Sequence, residues 1–397
     1  MIARTPYLFI LLIVIPYLYI DWGFIRRRFA PWQRIVWWLP AVAMLVYTLL
    51  LWRERNFIPD NPDVLFVYLL LLGVLVIPKW TFSICSALGK LCCRLLHRRS
   101  NYGNLLGLLT VPLVLYVVIY GAFVGFGKLE VRHIDYVSPD LPEAFDGYRI
   151  VHFSDAHVGT LTGIRSHILQ RDIDSINAQQ PDMIVFTGDL QNACPQEVQQ
   201  HKQLLSTLRA KDGVFSVLGN HDYAEYVNCD EQQKAANCRE LARLEQQLGW
   251  TLLCNEHRTI RRDTARIIIA GMENDGNGKR FPRKGNIPKT LKGVADDDFI
   301  IMLEHDPYSW RHRILPESHA QLTLSGHVHA MQFKLGNWSP ISLHVPEWYG
   351  LYREGSQTLF VTAGMSGLIP FRFGAAGEIA VITLHKGKTS NASIKNP

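Results

Sequence analysis

Seven side chains able to hold cations fall in five short motifs between residues 155 and 329. They are Asp155 and His157 in Asp155-Ala156-His157, Asp189 in Gly188-Asp189, Asn220 in Gly219-Asn220-His221-Asp222, the lone His305, and His327 and His329 in Gly326-His327-Val328-His329. Carboxylates, imidazoles and one amide together suit Mn, Fe or Zn better than Ca or Mg. A carboxylate that bridges two divalent cations holds them about 3.5–4 Å apart. A water caught between them loses a proton near neutral pH and becomes a nucleophile, while the cations neutralise phosphate oxygens as charge grows in the transition state. The pattern therefore points to a metal-dependent hydrolase using two cations. If Asp155-x-His157 is extended, both side chains share a face and reach one ion. The pair His327-x-His329 does the same, or straddles two ions if the backbone turns there.

Each motif follows an apolar run that reads as a buried strand: 149–153, 183–187, 213–218, 298–304 and 321–325. Further strands are predicted at 251–254, 266–270, 358–362 and 378–384, and helices at 164–178, near 196–209 and at 230–248. Strands alternating with helices argue for α/β, and the strand-rich C-terminal half for a mixed or second sheet. The polar stretch 272–297 reads as a surface loop, a candidate lid on the substrate side. His152 lies inside a strand and reads as a hydrogen-bonded core histidine. His167, His201, His257, His312, His319, His344 and His385 have no motif around them and read as surface or packing residues.

In this order the five motifs resemble the calcineurin-like metallophosphoesterase superfamily, over about residues 145–386. Phe145-Asp146-Gly147-Tyr148-Arg149-Ile150, Phe371-Arg372-Phe373-Gly374 and Glu378-Ile379 look like its bacterial membrane-associated, phosphodiesterase-like members. The resemblance implies a four-layer α/β/β/α sandwich. It implies that Asp155, His157 and His329 hold a first metal, that Asn220, His305 and His327 hold a second, and that Asp189 bridges them. His221 would serve as the acid for the leaving oxygen, with Asp222 orienting it. Two departures stand beside the ligands. Gln191 replaces a common acidic residue, and Ala330-Met331-Gln332 follows the last histidine where relatives carry glycines.

The charge of the chain is lopsided. Residues 1–128 hold 13 Lys/Arg and 4 Asp/Glu, leaving 28 and 31 for the remainder, so the net +6 is a property of the N-terminal part. No basic stripe interleaved with aromatics follows, which argues against nucleic-acid binding. Four apolar segments, near 5–24, 35–52, 64–88 and 104–127, are each long enough to cross the ~30 Å hydrocarbon core. Arg26, Arg27, Arg28 and Arg34 mark the first loop, and Lys90, Arg94, Arg98 and Arg99 the third. The second carries Arg53 and Arg55 against Glu54, Asp60 and Asp63. The positive-inside rule then puts loops one and three in the cytoplasm and the C-terminal domain outside. Four cysteines, Cys194, Cys229, Cys238 and Cys254, permit two disulfides in an exported domain, with Cys229–Cys238 and Cys194–Cys254 as the first pairing to test.

The expectation is four transmembrane helices in 1–128, a linker at 129–147 and a catalytic domain at 148–397. The chain is expected to sit in a bacterial cytoplasmic membrane, with the domain on the periplasmic side and the lipid bilayer as partner. Its expected substrate is a phosphoester, more a diester than a monoester, linked to lipid or envelope. Two alternatives stay open: a cytoplasm-facing lipid-precursor pyrophosphatase, and a non-catalytic membrane scaffold or transport component with a metal site.

Overall fold

The computed structural model describes residues 5–53, 61–227, 229–278, 281–388 and 391–395. The chain forms two compact units, Met1–Val124 and Gly125–Pro397.

Among the described residues of the first unit, four helices are long and apolar enough to cross a membrane: Pro6–Ile25, Pro31–Arg53, Pro62–Leu95 and Tyr102–Gly125. Their packed centre is Ile13, Tyr17, Ala41, Met44, Tyr68 and Leu72. The third is longer than its apolar run. It joins Pro62–Leu75 to Ile77–Leu95 through Val76, two residues before Pro78, whose ring cannot donate a helical hydrogen bond. Lys90 and Arg94 thus lie on helix rather than in the third loop. Lys79, near the middle of this helix, donates to Leu75 O at 2.6 Å and lies over the rings of Tyr17 and Trp37. Most of the second loop, 54–60, lies outside the described residues.

The described residues of the second unit form the strands β1 Leu129–Ser138, β2 Arg149–Phe153, β3 Met183–Phe186, β4 Val214–Ser216, β5 Trp250–Leu252, β6 Glu256–Arg262, β7 Ala265–Gly271, β8 Phe299–Leu303, β9 Leu322–Ser325, β10 Gly350–Glu354, β11 Gln357–Val361, β12 Gly377–Lys386 and β13 Asn391–Lys395. One sheet has the order β13-β1-β12-β2-β3-β4-β5, the other β10-β11-β9-β8-β7-β6. Strands β2 to β5 run parallel, as do β7, β8, β9 and β11.

The alternation of side chains along these strands creates the layers. Ile150, Val185, Phe215, Ile267, Ile301 and Leu324 meet between the sheets. Their chain neighbours Val151, Ile184 and Val214 face outward beneath the helices. There they meet Leu169, Ile173 and Ile176 of Ser166–Ala178, and Leu241 and Leu244 of Glu231–Gln247. On the far side Ile268, Ile300 and Met302 pack under Trp310 and Ile314. Both sheets are apolar on two faces because both are covered twice, which yields the α/β/β/α order.

Two expectations need correction. The segment read as a linker carries β1, a ten-residue strand paired along its length with β12. The two Pro residues that suggest a linker, Pro139 and Pro142, come after it. The disulfides do not form: all seven cysteines are free thiols. Cys238 faces Asp222 O at 3.4 Å and Cys194 lies 3.8 Å from Glu197 Oε1, each in surroundings of its own. Cysteine usage therefore carries no weight for an oxidising compartment.

One buried acid gives the fold a pH signature. Glu245, on helix Glu231–Gln247, accepts a hydrogen bond from Ser216 on β4. Burial pushes its pKa up to about 8, with Asp222 adding repulsion. The folded state then keeps a proton that the unfolded chain releases near pH 4.5, so this group's stabilisation falls as pH rises between those values. Glu245→Gln should match the parent chain near pH 5 and exceed it at pH 8.5 by on the order of a few kcal/mol. Thermal unfolding of the two proteins across that range checks this.

Candidate metal centre

The five motifs lie at the carboxyl ends of β2, β3, β4, β8 and β9, where parallel strands of both sheets point their last residues into one crevice. Backbone hydrogen bonds stitch these ends together. Asp155 N donates to Gly188 O at 2.9 Å, His157 N to Asp189 O at 3.1 Å and Gly326 N to His305 O at 3.0 Å. The turns are too tight for ordinary backbone. Asp155, His157, Asp189, His327 and His329 all have positive φ, between 41° and 70°. Strained non-glycine residues of this kind persist only where their surroundings fix them. Two glycines make the close approach feasible. A Cβ on Gly188, at φ 92°, would collide with Gly219 N, and one on Gly326 with Ser154 Oγ and Asp155 Oδ2.

Asp155-x-His157 is therefore not extended, and its convergence comes from two left-handed residues. The turn at His327-x-His329 sends its two imidazoles to different partners. His329 Nε2 is 3.1 Å from Asp155 Oδ1, whereas His327 Nδ1 is 3.2 Å from His305 Nε2.

Two groups of donors result. In the first, Asp155, His157, Asp189 and His329 each offer an atom, all within 4.8 Å of one another. The second gathers around His305 Nε2, which is 3.0 Å from Asn220 Oδ1 and 3.4 Å from Asp189 Oδ2. Asp189 belongs to both, since His157 Nε2 also lies 3.6 Å from its Oδ2.

The electrostatics suit cations. Burial holds His157 neutral, with a pKa down to about 3, and the nearby His221 reinforces this. Burial also lowers His327. Neutral imidazoles present the lone pairs that a metal takes. Burial alone would raise Asp155 and Asp189. His329 beside the first, and His305 and His221 beside the second, overcome it and hold both well below the usual carboxylate range. Burial would lower His305, but the Asp189 carboxylate draws it well above its ordinary value. A proton on His305 thus answers a demand for positive charge that a divalent cation meets with the same lone pairs. Among the described residues neither Asp155 nor Asp189 pairs with Lys or Arg, so the donor set fits metal ions.

A supporting layer, mostly unread in the sequence, orients these groups. Asn192 accepts from His221 Nδ1 on its backbone oxygen at 2.8 Å, and its Oδ1 lies 3.1 Å from His157 Nδ1. Glu197 in turn takes the N–H groups of Asn192 and Ala193, at 2.5 and 3.2 Å. Asp222 does not orient His221. Its carboxylate accepts from the backbone N–H groups of Asp189 at 2.7 Å, Gly219 at 2.9 Å, Leu190 at 3.0 Å and Gln191 at 3.3 Å, which fixes the Gly-Asp loop. His221 stacks on Tyr226, and Tyr226 also accepts from Asn220 Nδ2 at 3.0 Å. Gln191, which stands beside Asp189 in place of an acidic residue, donates to Asn237 Oδ1 at 2.7 Å and to His221 O at 3.4 Å. His152 is a core residue, bonded to Thr187 Oγ1 at 2.8 Å.

Arg372, from Phe371-Arg372-Phe373-Gly374, is buried and has no carboxylate partner among the described residues. It donates to the carbonyls of Ala363, Gly364, Ser366, Ala375 and Ala376. Ser366 O also lies 3.2 Å from His329 Nδ1, and Ser366 N donates to Asp155 O at 3.0 Å. Burial lowers the pKa of Arg372 to about 10, so it remains charged at neutral pH.

Comparison with known proteins agrees with this geometry. Residues 148–331 match the family model described as Calcineurin-like phosphoesterase. Residues 3–126 match one described as Probable Calcineurin-like phosphoesterase, transmembrane domain. A transmembrane protein with metallophosphoesterase domain from Danio rerio is 28% identical over 80% of this chain and 71% of its own. The metallophosphoesterase YkuE of Bacillus subtilis is 32% identical over 62% of this chain and 81% of its own. The UDP-2,3-diacylglucosamine pyrophosphatase LpxG of Chlamydia trachomatis is 30% identical over 61% and 86%.

Arg372→Ala should strand five carbonyls, most of them buried, and release the loop under His329. We expect a loss of about 3 kcal/mol or more and a lower metal affinity, read by thermal unfolding with and without added Mn(II). Unchanged unfolding would contradict the bracing role.

Proposed function

This chain is a membrane-integral member of the calcineurin-like phosphoesterase family, and on that premise we propose that it hydrolyses a lipid- or envelope-linked phosphodiester with two divalent cations. The observation that carries the reading is the double membership of Asp189, whose Oδ2 lies 3.6 Å from His157 Nε2 and 3.4 Å from His305 Nε2. Asp155, His157 and His329 would hold one cation, Asn220, His305 and His327 the other, and Asp189 both. Mn, Fe or Zn suits this mixture of oxygen and nitrogen donors. When bound, such a pair supplies an activated water and neutralises charge on the phosphoryl oxygens.

The protein's own groups do the remaining work. His221 commits Nδ1 to Asn192 O, which leaves Nε2 to deliver a proton to the leaving oxygen. Tyr226 stacks on that imidazole and keeps its plane. The backbone N–H of His221 donates to Asp189 Oδ1 at 2.8 Å, so acid and bridging carboxylate share one turn. A poorly leaving alkoxide, as in a lipid phosphodiester, gains most from such a donor.

A pyrophosphate bond in a lipid precursor is the second reading, favoured by the relative from Chlamydia trachomatis. The phosphate leaving group there needs no proton, and the site would face the cytoplasm. The basic loops around Arg26–Arg28 and Arg98–Arg99 support the opposite face, with the domain on the periplasmic side of a bacterial cytoplasmic membrane.

Two outcomes are expected. Asp189→Asn should abolish metal-dependent turnover of a chromogenic phosphodiester, and His221→Ala should lower it by about 10²–10⁴-fold, more for an alkyl than for an aryl leaving group. Unchanged turnover in both variants contradicts the mechanism, and absence of turnover in the purified parent chain favours a scaffold. Secondly, alkaline phosphatase fused to the C-terminus should be active in cells, and green fluorescent protein fused there after Sec export should be dark. The reverse result favours the cytoplasmic pyrophosphatase.

A further inference from the structure

The strongly exposed large apolar side chains of the second unit are confined to three segments. Among its described residues they are Ile164, Met331, Leu335, Trp338, Leu343, Leu368 and Ile369. Ile164 and Leu343 are each 72% exposed, and Trp338 45%. Scattered single residues of this kind are ordinary, but a contiguous set on one surface marks an interaction site.

These segments are joined to one another. Thr160 Oγ1 donates to Leu368 O at 3.2 Å, and Arg165 Nε to Thr160 O at 2.9 Å, which ties the Ile164 turn to Leu368. Gln332 Nε2 donates to Ile369 O at 3.0 Å and to Phe371 O at 2.9 Å. Ser339 Oγ donates to Ala330 O at 3.3 Å, which folds the Trp338–Leu343 stretch against Met331. Each segment is also rooted in the metal centre. One leads on from His157, one begins at His329, and the third includes Ser366, whose oxygen lies 3.2 Å from His329 Nδ1. The apolar residues thus form a rim beside the donors.

We propose that this rim inserts into the lipid–water interface of a bilayer, so that a lipid headgroup reaches the metal centre without leaving the membrane. Three features select a bilayer over a protein partner. The second unit begins at Gly125, where the last candidate span ends, so the chain itself tethers this unit within reach of lipid. Residues 160–165, 329–345 and 366–376 contain no Asp or Glu, while Lys334 lies among them, which suits an anionic lipid surface. An indole among aliphatic side chains is the composition that settles at headgroup depth. Insertion itself does not rest on the hydrolytic reading; delivery of a substrate headgroup does.

The test uses the full-length chain in nanodiscs, with an environment-sensitive fluorescent amino acid placed in turn at Leu343, at Ile369 and at Arg243. Arg243 is an exposed control on helix Glu231–Gln247. Lipids with brominated acyl chains serve as quencher. Quenching of at least twofold at 343 and 369, and none at 243, is the expected result. Quenching at 343 and 369 no greater than at 243 overturns the proposal, whether water or a protein then covers the rim. This readout needs no turnover, so an inactive enzyme would refute the hydrolytic reading and leave insertion decided. Where turnover exists, Leu343→Asp with Ile369→Asp should spare a soluble phosphodiester within twofold and slow a bilayer-presented phosphoester at least tenfold. Equal rates on both substrates would count against delivery.

Discussion

Two buried carboxylates standing close together set the terms for the rest of the catalytic unit. Asp155 and Asp189 are almost wholly shielded from water, and each raises the cost of ionising the other. Isolated, they would take up protons. They stay ionised because imidazoles from both sheets converge on them, and a cation answers the same need. The architecture follows from this. Parallel strands must end together, turns must be tight enough to bring β2, β3, β4, β8 and β9 into one crevice, and five site residues must adopt left-handed backbone.

The cost of that backbone is offset by a shell of hydrogen-bonded polar groups. Asp222 gathers four N–H groups, Arg372 five carbonyls, and Asn192 joins His157 to His221. None of these three is a proposed metal ligand. Each holds a loop whose preferred conformation lies elsewhere, and so keeps donors at strand ends pre-set for ions.

Much of this is legible in the sequence, because burial on two faces leaves a plain mark. Runs such as Met183–Phe186 and Phe299–Leu303 are apolar throughout and end at a polar motif. Strands β1, β6 and β10 leave a fainter one because they lie toward the sheet edges or carry mixed residues: Glu256–Arg262 is dominated by charged and polar side chains. The supporting layer is harder still. Asn192 reaches His221 through a backbone oxygen and His157 through its side-chain amide, Asp222 acts through N–H groups that every sequence has, and Arg372 through carbonyls likewise. Such partners are set by the fold and leave no pattern of spacing. Asp222 sits beside His221 in the chain, and adjacency suggests a partnership that the turn prevents. The cysteines mislead for a related reason: an even count says nothing about where the thiols point.

The membrane unit and the proposed lipid-linked substrate pose one functional question, namely how a site suited to a phosphoester would meet one carried by lipid. The rim around Leu343 and Ile369 supplies an answer in the catalytic unit's own surface. The hydrolytic part of that account rests on the proposal that Asp189 bridges two metals. Electron paramagnetic resonance of the full-length protein loaded with Mn(II) tests this most directly. Two ions about 3.5–4 Å apart on a shared carboxylate predict an exchange-coupled pair, lost in Asp189→Asn. A spectrum of isolated Mn(II) in the parent chain, unaltered by that substitution, would contradict it.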